Sequence, residues 1–78
     1  LKTFHKKLKN YMFCNDLKDI QIGHYVRWIP LKNPENVSLT NGGIVCEIKS
    51  IQDKIRLSKV KLKVKFKRLH SLFYTLSR

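Results

Sequence analysis

Val60-Lys61-Leu62-Lys63-Val64-Lys65-Phe66-Lys67, VKLKVKFK, alternates apolar residues with lysines over eight positions without an error. A period of two sends successive side chains to opposite faces of an extended chain, whereas a helix would scatter the same residues around its axis. The stretch therefore reads as a β-strand. Val60, Leu62, Val64 and Phe66 form its buried face, and Lys61, Lys63, Lys65 and Lys67 form a ladder on the other.

Working upstream, Gln52-Asp53-Lys54 reads as a turn and KIRLSKV (54–60) as a short strand. Before it, Asn41-Gly42-Gly43 opens another strand, GIVCEIKSI, in which Ile44, Cys46 and Ile48 alternate with Val45, Glu47 and Lys49. The polar stretch LKNPENVSLTNGG is a long connection. It follows IQIGHYVRWI, where His24, Val26 and Trp28 point one way and Tyr25, Arg27 and Ile29 the other. Gly23 suggests a bulge or tight bend, and Pro30 ends the ladder because it lacks an N–H. Downstream, Leu69, Leu72, Phe73 and Leu76 fit a helix while Leu72, Tyr74 and Leu76 fit a strand; a strand after a turn at Leu69 to Ser71 is the expectation.

At the start of the chain the period changes. Leu1, Phe4, Leu8, Tyr11 and Met12 recur at spacings of three and four, with Lys2, Lys6, Lys7 and Lys9 between them. This predicts a basic amphipathic helix in a segment spanning 1–18, ending near Asn15 and Asp16. The expected fold is mainly β: an antiparallel small barrel of about four or five strands, SH3-like or OB-like, over 19–78, preceded by that helix. There is no internal repeat.

A chain of 78 residues makes one domain with a marginal core of its own, which a partner surface would help complete. It begins at Leu1, which reads as a processed product or part of a longer protein. No apolar run approaches a membrane span or a secretory signal, so a soluble, intracellular protein is expected. Cys14 and Cys46 form no C-x-x-C pair and read as buried free thiols, with a single disulfide open in an oxidising particle.

Charge is the dominant feature: 17 Lys and Arg against 5 Asp and Glu, a formal net of +12. Residues 1–18 carry +4, residues 19–53 carry −1 and residues 54–78 carry +9 without an acid. So large an imbalance repels itself unless something acidic lies close, and nucleic acid is the commonest such partner.

Catalysis is not expected. General acid and base work needs carboxylates, or a carboxylate and histidine, at reactive distance. Here Asp16 and Asp19 lie near the expected helix end, Glu35 is in a loop, Glu47 lies in a strand and Asp53 in a turn. His5, His24 and His70 lack metal-ligand spacing, and Gly42-Gly43 lacks the pattern of a phosphate loop. No metal, cofactor or small-molecule substrate is expected.

The candidate binding residues follow from the strand ladder. Ammonium groups on alternate residues stand about 6.6 Å apart, near the repeat of phosphates along an extended single strand. Lys59, Lys61, Lys63, Lys65, Lys67, Arg68 and Arg56 make the patch, Lys6 and Lys9 extend it from the helix, and Tyr25 with Arg27 offers an outward stacking surface. Lysines on an edge strand also stop it pairing with other chains, but that needs only one or two. No arginine-rich recognition helix is present, so the expected contact is indifferent to sequence.

IGHYVRWI, LTNGGIV and LFYTLS together resemble a small β-rich domain of virion proteins of nucleocytoplasmic large DNA (giant) viruses. The matching positions are Gly23, Tyr25, Arg27, Trp28, Gly42, Gly43, Phe73 and Tyr74, over roughly residues 20 to 76, and the lysine-rich 59–68 segment departs from that pattern. The resemblance implies a non-enzymatic structural protein in a virion, either a minor capsid or scaffold component or one near the packaged genome. An organellar ribosomal protein within a ribonucleoprotein particle is the further alternative. The expected partners are nucleic acid, bound without sequence preference, or acidic neighbouring proteins in a large particle.

Overall fold

The strands expected from the alternation form. In the computed structural model, which describes residues 2–58 and 63–77, a short helix α1 (Lys2–Lys7) precedes β1 (Met12–Phe13), β2 (Tyr25–Pro30), β3 (Gly43–Lys49), β4 (Lys54–Leu57), β5 (Lys63–Lys65) and β6 (Ser71–Leu76). Single 3-10 turns lie at Leu17–Asp19 and Ser50–Gln52. Among the described residues the strands make one antiparallel sheet in the order β1-β6-β2-β3-β4-β5. The fold is mainly β as expected, but the sheet is open rather than closed into a barrel. The first part of the VKLKVKFK strand, 60–62, lies outside the described residues.

The longest pairing is also the least local. β2 and β6 share six rungs, from Tyr25 opposite Leu76 to Pro30 opposite Ser71. Alternation then sorts their side chains. Val26, Phe73 and Thr75 are buried on the inner face with half-buried Trp28, and the Thr75 hydroxyl donates to the Tyr25 carbonyl at 3.2 Å. Phe73 sits between the Trp28 ring (centroids 5.8 Å apart) and the Phe66 ring (4.6 Å). Because Phe66 follows β5, this contact shows that the sheet curls far enough for its two halves to share one core. Val45, Ile55 and Leu57 complete that core from the other half, and Cys14, Leu17 and Ile20 from the segment after β1. Burying Phe73 alone contributes about 1.5–3 kcal/mol.

Two expectations need correction. The amphipathic helix expected to run to Asn15 or Asp16 stops at Lys7. Its last bonds are from the Leu8 N–H to the Phe4 carbonyl and, as a turn, from the Tyr11 N–H to the Leu8 carbonyl. Met12 and Phe13 pair instead with Thr75 and Tyr74, and the Phe13 ring meets Tyr74 edge-on at 5.4 Å. A helix this short has little stability of its own, whereas β6 offers unmet backbone groups and an aromatic neighbour. Asp16 accordingly opens a structure rather than closing one: it caps the Leu17–Asp19 turn, accepting from the Lys18 N–H, while Asp19 accepts from the Asn15 and Asp16 N–H groups.

The second correction concerns β3. A register shift between Val45 and Glu47 marks a bulge, so Val45 and Ile48 both turn inward, opposite Leu57 and Ile55. The extra residue resets the alternation that places Val45 and Ile48 on opposite faces. Gly42 has φ of +72°, and a Cβ there would stand 1.9 Å from the Val26 carbonyl oxygen, so only glycine fits.

Candidate functional site

The β3–β4–β5 half has two chemically opposed faces. Ile55 and Leu57 point inward from β4, so Lys54 and Arg56 point outward. Register carries this across the sheet: Lys49 lies opposite Lys54, Glu47 opposite Arg56, Lys54 opposite Lys65, and Arg56 opposite Lys63. Among the described residues the outward face thus gathers five cations, Lys49, Lys54, Arg56, Lys63 and Lys65, around one acid, Glu47. Val64 between the β5 lysines packs against the core, and Phe66 after them is buried.

The electrostatics of this face are unfavourable to the isolated chain. Among the described residues Glu47 answers one cation only, through a 3.5 Å ion pair with Arg56 whose partners are both near half-exposed. Such a pair contributes little. Lys54 and Lys65 confront each other directly, as do Arg56 and Lys63, and like charges at opposed positions destabilise a sheet. Lys63 registers the crowding. A hydrogen bond shared with the Lys49 side chain, then repulsion from Lys49, hold its pKa below the usual lysine value.

The sequence-derived candidates divide into groups. Lys63, Lys65 and Arg56 belong to this face, and exposed Lys67 and Arg68 continue from it into the turn before β6. Lys59 and Lys61 lie outside the described residues. Lys6 is exposed on α1. Lys9 lines a cleft of about 410 Å³ with Phe4, Leu8, Ile29, Leu72 and Tyr74, where the helix end meets the outer side of β2 and β6. Tyr25 and Arg27 are on the outer side of β2 but are already engaged: the Tyr25 hydroxyl donates to the Asn41 carbonyl at 2.9 Å and the Arg27 Nε–H to the Thr40 carbonyl at 2.8 Å. With Thr40 and Trp28 exchanging two further bonds, both residues fasten the end of the 31–42 connection.

Lys49 and Lys54 were not among the candidates. The alternations Glu47-Ile48-Lys49 and Lys54-Ile55-Arg56 flank one turn, and reading them as a hairpin would have placed both beside the ladder.

Elsewhere, Cys14 and Cys46 are free, Cys14 buried and Cys46 partly so. Burial, with the Asp19 carboxylate adding to it, pushes the Cys14 thiol up to about 11, which suppresses its thiolate. Among the described residues no three His, Cys, Asp or Glu side chains gather as a metal set, and no helix is long and apolar enough to cross a membrane. Comparison of the chain with protein-family models, curated proteins and solved structures gives no match.

Proposed function

We propose that this chain is a non-enzymatic structural protein of a large assembly that binds the nucleic-acid backbone, without reading sequence, through the outward face of β3–β5. The carrying observation is the pairing of Lys54 with Lys65 and Arg56 with Lys63 across β4 and β5. A sheet that sets cations against cations loses stability alone and regains it when a polyanion lies across them. Such contacts are made to phosphates, so affinity falls steeply with salt. If about six phosphates are neutralised on a duplex, log K against log salt has a slope near −5. A titration of a generic duplex at several salt concentrations checks this, and affinity indifferent to salt removes the proposal.

The same reading extends to the fold and its setting. A β2–β5 meander whose first strand takes β6 as its other neighbour supports an SH3-like plan over a Greek-key OB plan. Exposed Met12 and Phe13 on the sheet-edge strand β1 favour a second reading, a minor capsid or scaffold protein of a large DNA virus that docks on other proteins. A chain that binds duplex DNA but ignores purified capsid proteins supports the first reading; the reverse supports the second.

A further inference from the structure

Leu69 is 89% exposed, yet the turn that carries it is firmly held. The His70 and Ser71 N–H groups both donate to the Lys67 carbonyl at 3.0 Å, and the Leu31 N–H donates to the His70 carbonyl at 2.8 Å. Register brings the ends of β1 and β2 to this turn at the start of β6, because Pro30 pairs with Ser71 and the Cys14 N–H donates to the Phe73 carbonyl. Two clefts result, and Leu69 and Ser71 line both. One, of about 480 Å³, adds Phe13, Arg68 and Leu72 on the β1 side; the other, of about 460 Å³, adds Pro30, Leu31, Lys32 and His70 on the β2 side. Phe13 at 42% and Leu31 at 37% exposure thus join Leu69 in one apolar patch. Single exposed aliphatics are ordinary, whereas a joined patch with polar edges marks a contact surface.

Resting on the protein-docking reading above, we propose that this patch receives an extended segment of another protein that carries apolar side chains beside carboxylates, with Leu69 set between two of the segment's apolar groups. Charge selects this occupant. The titratable cations lining the two clefts are Arg68, Lys32 and His70, and no acid lines either, so a carboxylate at the rim meets no like charge. A second copy of the chain would bring the same cations against these. A bilayer taking Leu69 as its anchor would cover every side of it, including a third cleft where Asp16 and Asp53 stand, whereas a segment can follow the two clefts that hold no acid. A nucleic-acid backbone finds no side-chain donor on Phe13, Leu72, Pro30 or Leu31. Backbone geometry favours an extended partner: the Cys14 N–H faces β6, so alternation turns the Phe13 N–H and carbonyl to what is, among the described residues, the open edge of the sheet.

The test follows the backbone amides of the whole, isotope-labelled chain by NMR during titration with three short peptides: one alternating leucine with glutamate, one with serine in place of leucine, and one with lysine in place of glutamate. The first should shift the amides of Phe13, Leu31, Leu69 and Leu72, and the other two should bind about tenfold more weakly or worse. Leu69→Ser should weaken the first peptide about tenfold and leave duplex affinity at the wild-type value. Because Leu69 is exposed, an unchanged circular dichroism spectrum is expected for the variant. Shifts confined to the lysines of the β3–β5 face, or equal binding of all three peptides, overturn the patch. Purified capsid proteins that bind wild type and Leu69→Ser alike also overturn it and leave protein docking standing. A chain that binds neither peptides nor capsid proteins overturns both. Phosphatidylserine vesicles that move these amides when the first peptide does not assign the patch to a membrane and overturn the proposal.

Discussion

The β2–β6 and β4–β5 pairs are built from the same backbone geometry and put to opposite use. Across the six rungs of β2 and β6, neighbours are complementary: Trp28 stacks near Phe73, and Thr75 bonds back to Tyr25. Across the three rungs of β4 and β5, only Ile55 and Val64 complement each other, and both outward pairs are cation against cation. One pair holds the fold, while the other carries a charge density that the fold must tolerate. The difference teaches that local stability and candidate function are separable here, which makes them separately testable.

The largest effect should come from the holding half. Phe73→Ala removes the ring that joins Trp28 to Phe66 and should cost about 4 kcal/mol in urea unfolding, enough to unfold a domain of this size. A loss below about 1 kcal/mol would show that the two halves do not share a core.

In the charged half the sign should reverse. Lys65→Glu sets an acid opposite Lys54 and should raise stability by about 0.5–1 kcal/mol at low salt, while duplex affinity falls and the salt slope shrinks by about 1–2 units. A variant weakened in folding as well as binding would make Lys65 structural and erase the contrast.

A further effect lies in alkaline pH, where two groups oppose each other. The folded Cys14 thiol keeps its proton up to about 11, above the ordinary value of 9.0, so the unfolded chain binds fewer protons between them and stability falls as pH rises through that window. Lys63 is depressed, so the unfolded chain binds more protons between its lowered pKa and the ordinary lysine value, and stability rises there. Urea midpoints from pH 8 to 11 should therefore fall less in Cys14→Ser than in wild type. Lys49→Ala, which removes the repulsion, should fall more. Identical curves for all three would show that neither environment survives in solution.

Much of this was legible where a residue's neighbours in sequence set its face. Lys63, Val64, Lys65 and Phe66 alternate in space as they do in the chain, and Gly43 opens β3 where Asn41-Gly42-Gly43 announced it. What could not be read depends on distant partners. Met12 carries a helical spacing until β6, some sixty residues away, supplies an edge. The β3 bulge has no local mark, and it alone decides whether Val45 and Ile48 share a face. Lys54 joined the candidate face only through its register with Lys49 and Lys65. Tyr25 and Arg27 looked outward and free because their loop partners, Thr40 and Asn41, are themselves irregular backbone.

The place of β6 between β1 and β2 also constrains how the protein is born. Translation at about 5–20 residues per second leaves β1 waiting on the order of 3–12 s for its partner. During that interval the nascent polypeptide exposes two unfinished borders and the aromatic rings meant for Phe73, an opening for chaperones or for misjoining with a sister chain on the same message.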